Sequence, residues 1–232
     1  MAARMADLLG VCVSAADIQP LLARAQRVSG PSPPFDLPFD LWFAVFGNHR
    51  PVELEIGPGR GEVLLAWAAA APATNFFAIE RSSRAAEALR AAAARRRLSN
   101  ARVVAGDAQC VLAHCVPDES VNAHHVYFPD PWPKTGHRHR RLLGGGFARH
   151  LLRTLVPGGA VHLASDLPAL IADIATQCVA AGLVIEPGAE PLPRPTTAFE
   201  RRYAGAGTFY TRLVRPANEA SGFRRPILTG LI

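Results

Sequence analysis

Four acidic side chains follow strand-like runs at nearly regular intervals. Glu55 closes the run VELEI, Glu80 follows FFAI, Asp107 follows ARVVAG, and Asp130 comes just after AHHVYF. The intervals of 25, 27 and 23 residues are each about the length of one strand-helix unit. Because ligands bind outside the carboxyl ends of the strands in an open parallel sheet, the four acids are predicted to line one site. Any one of them alone would be interpreted as a solvated loop carboxylate.

The sequence EIGPGRG, residues 55–61, places three glycines between a strand-like and a helix-like segment. Gly57, Gly59 and Gly61 would let a ligand approach the backbone closely, although such a turn alone fits many nucleotides. Glu80 is suited to accept hydrogen bonds from ribose hydroxyls. Glu55 beside the glycines would repel a pyrophosphate or triphosphate but not a cationic sulfonium ligand with an amino group. The residues therefore favour S-adenosyl-methionine over NAD or ATP as the cofactor.

The segment VYFPDPWPKTGHRHRR, residues 126–141, joins one acid to a run of cations. Pro129, Pro131 and Pro133 lack amide donors and disfavour helix in the residue before each, which predicts a stiff, extended rim. The cations are typical of phosphate contacts, and the net charge of +6 favours a polyanionic partner. A solvated charge run is the alternative for the candidate RNA contacts: Lys134, Arg138, Arg140 and Arg141. The alternative for Asp130 is a turn-capping role.

The elements that must position these residues alternate between strand-like and helix-like patterns from Pro51 onward. This alternation predicts an α/β fold with a doubly wound, mostly parallel Rossmann-like sheet and helices on both faces. Residues 1–50 contain the Pro-rich run SGPSPPFDLPFD and are predicted to be an N-terminal extension with one short helix near 15–28. Residues 51–216 are predicted to form the main domain, followed by a tail over 217–232.

The composition argues against several other classes of site and environment. The four cysteines show neither zinc nor disulfide-framework spacing, which predicts reduced thiols. His137 and His139 have no nearby Cys or third His, so no metal site is predicted. Nothing approaches the length of a membrane span. We expect a cytoplasmic protein with no membrane contact and no obligate protein partner, present as a monomer or a homodimer.

Six motifs occur in a fixed order along the chain: LEIGPGRGE, AIE, GDA, YFPDPWPK followed by RRL, SD and TAFERR. Together they resemble the tRNA (guanine-N7-)-methyltransferase family over roughly residues 51–215. The F-P-D-P-W-x-K block with its RRL is the most specific of them. The resemblance implies a class I methyltransferase that transfers a methyl group from S-adenosyl-methionine to N7 of a guanine in the tRNA variable loop. Thr135 and Gly136 depart from the family pattern, which usually has another basic residue after the lysine.

The resemblance also implies roles for individual positions. Three match the family's cofactor-binding acids, the last of them near the adenine: Glu55, Glu80 and Asp107. Substrate-contacting positions are matched by Lys134, by Asp166 and by the stretch from Thr197 to Glu200. Asp130 matches the proposed catalytic acid, which would stabilise the positive charge that develops on the purine or hold the guanine through its N1 and N2 donors.

Other interpretations of these motifs remain open from the residues themselves. Asp166 before a Pro-containing helix start also fits a helix N-cap, and Thr197 with Glu200 fits a capping box. The D-P-W segment loosely resembles the acid/amide-Pro-Pro-aromatic signature of amino-group methyltransferases. A class I methyltransferase for another RNA or for an amino group is therefore one alternative function. An RNA-binding module with an inactive cofactor site is another.

Overall fold

The computed structural model describes residues 41–129, 146–203, 205 and 207–217. Within these ranges the chain forms one seven-stranded sheet. Its strands are β1 (Val52–Ile56), β2 (Asn75–Glu80), β3 (Ala101–Ala105), β4 (Val121–Tyr127), β5 (Leu155–Ser165), β6 (Val184–Ile185) and β7 (Phe209–Val214). The spatial order is β3-β2-β1-β4-β5-β7-β6. β1 to β5 pair in parallel, whereas β7 runs antiparallel to both β5 and β6.

Helices cover both faces of this sheet. They are α1 (Leu41–Phe46), α2 (Glu62–Ala70), α3 (Ser83–Arg95), α4 (Ala108–His114), α5 (Phe147–Thr154), α6 (Pro168–Ala181) and the short α7 (Ala198–Arg202). Buried side chains of α2 and α3, such as Leu64 and Leu89, pack in one apolar cluster. Those of α1, α4, α5 and α6, such as Leu112 and Leu151, form a second and larger cluster. The prediction of a doubly wound, mostly parallel sheet with helices on both faces is confirmed.

The ends of the helices test the predicted caps. Ser82 is the N-cap of α3, where its side chain accepts a hydrogen bond from the Ala85 amide at 3.3 Å. α6 ends at Gly182, whose φ of 113° places it in the left-handed region that favours glycine. The N-cap of α6 is Leu167, which makes no side-chain cap bond. The interpretation of Asp166 as that N-cap is therefore wrong, because the helix begins one residue later at Pro168.

The described part of the predicted N-terminal extension includes α1. Its side chains Trp42, Val45 and Phe46 are buried in the same cluster as the helices of the main domain. The Trp42 ring meets Phe77 of β2 edge-on, with the ring centroids 5.3 Å apart. The predicted helix near 15–28 and the tail beyond 217 lie outside the described residues, and the proposed division into extension, domain and tail stays a prediction.

Three expectations drawn from composition concern cysteines, membranes and metals. Cys110 is disulfide-bonded, so the expectation that all the cysteines are reduced thiols is wrong; Cys115 and Cys178 are free. In the portion of the chain that is described, no helix is long and apolar enough to cross a bilayer. The same portion contains no group of three or more His, Cys, Asp or Glu side chains placed to hold a metal ion.

Candidate active site

A cavity of about 730 Å³ opens at the carboxyl ends of β1 to β4. β2 and β3 lie on one side of β1, and β4 and β5 lie on the other, so the strand order reverses at β1. The cavity therefore lies at the topological switch point, where open α/β sheets bind ligands. Glu55, Glu80 and Asp107 all line it, as the spacing of the acids predicts. Tyr127 and Phe128 close the side next to β4, and α7 forms the remaining wall.

The glycine turn after β1 forms the floor of the cavity. Gly57, Gly59 and Gly61 have φ values of 69°, 57° and 73°, which residues with a side chain rarely adopt. A Cβ on Gly61 would also lie 2.2 Å from Leu89 Cδ2, so this glycine lets α2 and α3 approach each other closely. In the described part of the chain, no atom beyond the adjacent residues lies within 4 Å of a Cβ built on Gly57 or Gly59, so their backbone is open to a ligand.

Glu55 is the most unusual titratable group in the cavity. Its side chain comes from the end of β1, the residue is only 6% exposed, and its Oε2 atom has no hydrogen-bond partner among the described residues. Burial raises the pKa of Glu55 from its ordinary 4.5 to about 8, and the nearby Arg194 guanidinium offsets part of this rise. Burying a carboxyl with an unpartnered oxygen costs free energy unless a ligand supplies the missing hydrogen bond. A cationic donor would supply it.

Glu80 and Asp107 are both tied to backbone amides at the cavity edge. Glu80 Oε1 accepts a hydrogen bond from the Ser82 amide at 2.8 Å, and Glu80 Oε2 accepts one from the Gly59 amide at 3.3 Å. The second bond joins the end of β2 to the glycine turn. Asp107 is the N-cap of α4, where its Oδ1 accepts from the Cys110 amide at 3.1 Å. Both carboxylates are thus held in place at the lip of the cavity.

The wall formed by α7 is fastened by charged side chains. Thr197 and Glu200 form the predicted capping box, which is confirmed. Arg194 binds both Glu200 oxygens, with nitrogen-oxygen distances of 2.7 and 2.8 Å. Although burial alone would raise it, these bonds and those from Thr197 hold the pKa of Glu200 below its usual value. Arg201 adds an ion pair of 2.8 Å to Glu62 in the first turn of α2.

A buried polar chain supports the β4 side of the cavity. The hydroxyl of Tyr127 lies 3.0 Å from His125 Nδ1, and His125 Nε2 lies 2.8 Å from a Glu53 oxygen. The next residue, Phe128, has a φ of 50°, which is rare and strained for a bulky side chain. Its amide nevertheless donates to the Ala164 carbonyl at 2.7 Å, and Pro129 then lines the cavity.

The remaining predicted site residues are not brought together in the described part of the chain. Thr197 lines the cavity, whereas Asp166 does not, and its Oδ1 accepts a hydrogen bond from Ser165 Oγ at 3.3 Å. The predicted catalytic acid Asp130 and the predicted RNA contacts lie outside the described residues: Lys134, Arg138, Arg140 and Arg141. Their roles, like those of the cavity acids, stay predictions.

Comparison with known proteins places the chain among methyltransferases. Residues 49–210 match a family model described as "Putative methyltransferase". A tRNA (guanine-N(7)-)-methyltransferase of Alkalilimnicola ehrlichii is 39% identical over 178 residues, which cover 73% of each chain. Its counterpart in Mycobacterium avium is 37% identical over 200 residues, 82% of this chain and 73% of that one. The chain belongs to the tRNA (guanine-N7-)-methyltransferase family.

Solved structures of more distant proteins share the fold of this family member. A 16S rRNA (adenine(1408)-N(1))-methyltransferase from Catenulisporales acidiphilia, solved with its cosubstrate SAM, superposes with a TM-score of 0.55 at 17% identity. That superposition covers 81% of this chain and 95% of the other. The 16S rRNA methyltransferase KamB gives a TM-score of 0.54 at 16% identity, covering 76% and 93% of the two chains. The predicted class I methyltransferase architecture is thereby confirmed.

The cavity of this methyltransferase fits S-adenosyl-methionine. The unpartnered Glu55 oxygen suits the cationic amino group of the cofactor, because a buried anion needs a charged or hydrogen-bonding partner. Glu80 offers carboxylate lone pairs suited to ribose hydroxyls at the end of β2, as acids do in related dinucleotide folds. The open glycine turn lets the ligand lie against the backbone. A triphosphate would meet an acid rather than a cation at the same place.

Several residues of the site were missed by analysis of the sequence. Arg194 lies in the irregular run PLPRPTT, and its pairing with Glu200 is visible only in three dimensions. Trp67 donates from Nε1 to the Pro193 carbonyl at 3.0 Å and so fixes that run against α2. Tyr203 lines the cavity together with Phe199, which lies inside the stretch from Thr197 to Glu200 that matches substrate-contacting positions. The spacing of four residues between the two rings, which puts them on one face of a helix, was the signal that could have found Tyr203.

Arg194→Leu is expected to destabilise this family member by about 2–3 kcal/mol, because it leaves Glu200 largely buried without its partner. The side chains of the pair are only 11% and 17% exposed. Thermal unfolding should then shift down by roughly 5–10 °C for a protein of this size. Arg201→Gln is the matched control, since Arg201 is 56% exposed in its own ion pair and should contribute under about 1 kcal/mol. Equal losses in the two variants would contradict the assignment.

Proposed function

We propose that this protein transfers a methyl group from S-adenosyl-methionine to N7 of a guanine in the variable loop of tRNA. The observation that carries the proposal is the buried, half-partnered carboxyl of Glu55 beside the open glycine turn, in a chain of this family. The tRNA (guanine-N7-)-methyltransferases that resemble the chain support the choice of tRNA and of guanine N7. The basic composition is consistent with an RNA substrate.

S-adenosyl-methionine, when bound, supplies an electrophilic methyl group. Around it, Glu55 as a carboxylate would hold the cofactor's amino group, Glu80 would accept hydrogen bonds from its ribose, and Asp107 would contact the adenine end. Guanine N7 already carries an in-plane lone pair, so no side chain needs to remove a proton before the transfer. The protein therefore works mainly by positioning the two reactants, and well-oriented reactants alone give a large acceleration.

As the methyl group moves, the purine gains positive charge. We assign Asp130 to the stabilisation of that charge, since a fixed carboxylate aimed at developing charge is an effective form of catalysis. In the sequence, Asp130 directly follows Pro129, a residue that lines the cavity. Asp166, Thr197 and Glu200 would contact the substrate.

We assign the binding of tRNA phosphates to the basic run that follows Asp130. Its members are Lys134, Arg138, Arg140 and Arg141. Each contact of this kind releases a condensed counterion, so tRNA affinity should fall steeply with salt. An enzyme of this kind would act in the cytoplasm, where it meets its tRNA, as a monomer or a homodimer and without a membrane.

The experiment is a methyl-transfer assay with mapping of the product. Purified protein is incubated with methyl-labelled S-adenosyl-methionine and unmodified tRNA transcript, and the RNA is digested to nucleosides. Label is expected in N7-methylguanosine alone. The matched control is a transcript with 7-deazaguanosine in place of guanosine, in which a carbon replaces N7 and no label should be incorporated. A second transcript with the variable-loop guanine changed to adenine tests the position.

Three outcomes would contradict the proposal in different ways. Label on adenine or on protein would identify another class I methyltransferase. Label on guanine that survives the variable-loop change would leave the reaction intact and refute the position. Binding of tRNA without any cofactor binding would identify an RNA-binding module with an inactive cofactor site.

A further inference from the structure

Two aromatic side chains stand exposed on the wall of the cavity. Phe199 and Tyr203 of the α7 region are 37% and 49% exposed, and both line the cavity. Their ring centroids are 4.7 Å apart, with the planes inclined at 44°. Of the large exposed apolar side chains in the described ranges, these two alone line this cavity. Exposed aromatic rings grouped at a cavity mark a surface that meets a partner.

The rings stand on the side of the cavity opposite to two of the proposed cofactor acids. Asp107 follows β3 and Glu80 ends β2, whereas Phe128, on which the Phe199 ring stacks, follows β4. In the sheet, β4 is three strands from β3 and two strands from β2, which is about 14 Å and about 10 Å at the usual strand spacing. A ligand with its ribose at Glu80 therefore leaves the aromatic end for the second reactant.

The aromatic surface is rigidly supported. The Phe199 ring stacks on Phe128, with centroids 5.0 Å apart and planes inclined at 29°. Below them, the Arg194 guanidinium lies 5.6 Å from the centroid of the Phe128 ring and binds Glu200 in the middle of α7. Arg201 ties the same helix to α2. A surface held on several sides loses little entropy when a ring stacks on it.

The charge around the aromatic surface suits an RNA. Three exposed arginines line the cavity: Arg60 in the glycine turn, Arg81 next to Glu80, and Arg202 at the end of α7 beside the aromatic surface. The Arg202 guanidinium lies 5.7 Å from the centroid of the Tyr203 ring. Arginine beside exposed aromatic rings is the combination with which proteins bind unpaired bases, because the rings stack on the base while the cations meet the phosphates.

We propose that Phe199 and Tyr203 form the stacking surface for the purine that accepts the methyl group. This inference rests on the proposed function, which it deepens by assigning the base-binding residues. The base must leave the tRNA stack to reach the cavity, and a fixed aromatic surface compensates for the stacking that it loses. Phe199 and Tyr203 would thus bind substrate rather than cofactor.

The test separates tRNA binding from cofactor binding. Phe199→Leu keeps an apolar side chain but removes the ring, and it is expected to raise both the KM and the Kd for tRNA by about 5- to 100-fold. The Kd for S-adenosyl-homocysteine should stay within about twofold, because that ligand occupies the other end of the cavity. Phe199→Tyr should restore tRNA affinity, and Tyr203→Leu compared with Tyr203→Phe repeats the test.

The matched control is Phe209→Leu. Phe209 is 45% exposed at the start of β7 and does not line the cavity, so its loss should leave both constants unchanged. A Phe199→Leu protein with unchanged tRNA KM and Kd would overturn the stacking surface, whichever base the wild type methylates. So would a rise in the Kd for the cofactor analogue alone, because the rings would then face the adenosine. Weaker tRNA binding by Phe199→Leu, in a wild type that methylates no guanine, would support the surface and refute the proposed function.

Discussion

Asp130→Asn is expected to lower kcat by about 10²- to 10³-fold while the Kd for the cofactor changes less than about twofold. Asparagine keeps the size of the side chain but removes the charge, so it loses the stabilisation that grows as the purine becomes cationic. The interaction is made mainly in the transition state. The loss should therefore appear equally in kcat and in kcat/KM for tRNA, as single-turnover and steady-state measurements would show.

Asp173→Asn is the matched control for that variant. Asp173 is exposed on α6, and its carboxylate accepts a hydrogen bond from the Gln177 amide nitrogen at 3.3 Å. Its kcat should equal that of the wild type. Full activity of Asp130→Asn would mean that the negative charge is dispensable, and a large rise in cofactor Kd would move Asp130 to the cofactor site.

Cofactor affinity is expected to depend on the protonation of Glu55. Burial raises the pKa of this carboxyl to about 8, so most of it is protonated at neutral pH in the free protein. A cationic amino group binds the carboxylate, and the apparent affinity scales with the fraction of protein in that form. The affinity for S-adenosyl-methionine should therefore rise by up to about tenfold per pH unit between pH 6 and 8. Above pH 8 the rise should stop, since an α-amino group has an ordinary pKa of about 8 and then loses its own proton.

Glu55→Gln should remove this pH dependence and weaken binding at pH 8 by about 30-fold or more. Calorimetric titration at several pH values measures both effects. Glu62→Gln is the matched control, because Glu62 lines the same cavity and acts on Glu55 only by raising its pKa slightly. That variant should keep the slope. A slope that persists in Glu55→Gln would show that another group titrates.

The pH dependence of the folding stability is a second test of the raised pKa of Glu55. Its pKa is about 8 when folded and about 4.5 when exposed, so the unfolded chain binds fewer protons than the folded one between these values. The contribution of Glu55 to stability is therefore fully present below pH 4.5 and is lost as the pH rises to 8. Glu55→Gln should remove this pH dependence of the folding stability. Because the stability is measured without ligand, the result is independent of the titration of the cofactor's amino group.

Sequence reasoning located the cavity because its parts are local. Each acid follows its strand directly, and the turn at Gly57 to Gly61 requires left-handed φ values that glycine adopts at no steric cost. The capping box of Thr197 and Glu200 is likewise local, because its two residues lie within a span of four. Local patterns of this kind survive folding, and the alternation of strands and helices then brings their ends to one edge.

The features that escaped prediction depend on distant contacts. The unpartnered oxygen and high pKa of Glu55 come from the packing around it, which no spacing reveals. Arg194 lies in a proline-rich run without regular structure, and its partner Glu200 lies in the helix that follows. The local pattern of an acid before Leu-Pro suggested a cap at Asp166, whereas the helix begins one residue beyond the reach of that side chain. A local sequence pattern can therefore identify a candidate side chain without predicting its contacts in the folded protein.

Arg194 links the carboxyl proposed to bind the cofactor to a carboxyl proposed to bind the substrate. Its guanidinium holds Glu200 through two bonds and also lowers the pKa of Glu55, so one cation serves as a shared counter-ion for a carboxyl of β1 and a carboxyl of α7. A ligand that draws Arg194 toward either carboxyl weakens its hold on the other. Coupling of this kind is reciprocal by thermodynamic necessity, so ligands at the proposed cofactor and substrate sites would change each other's affinity through this single side chain.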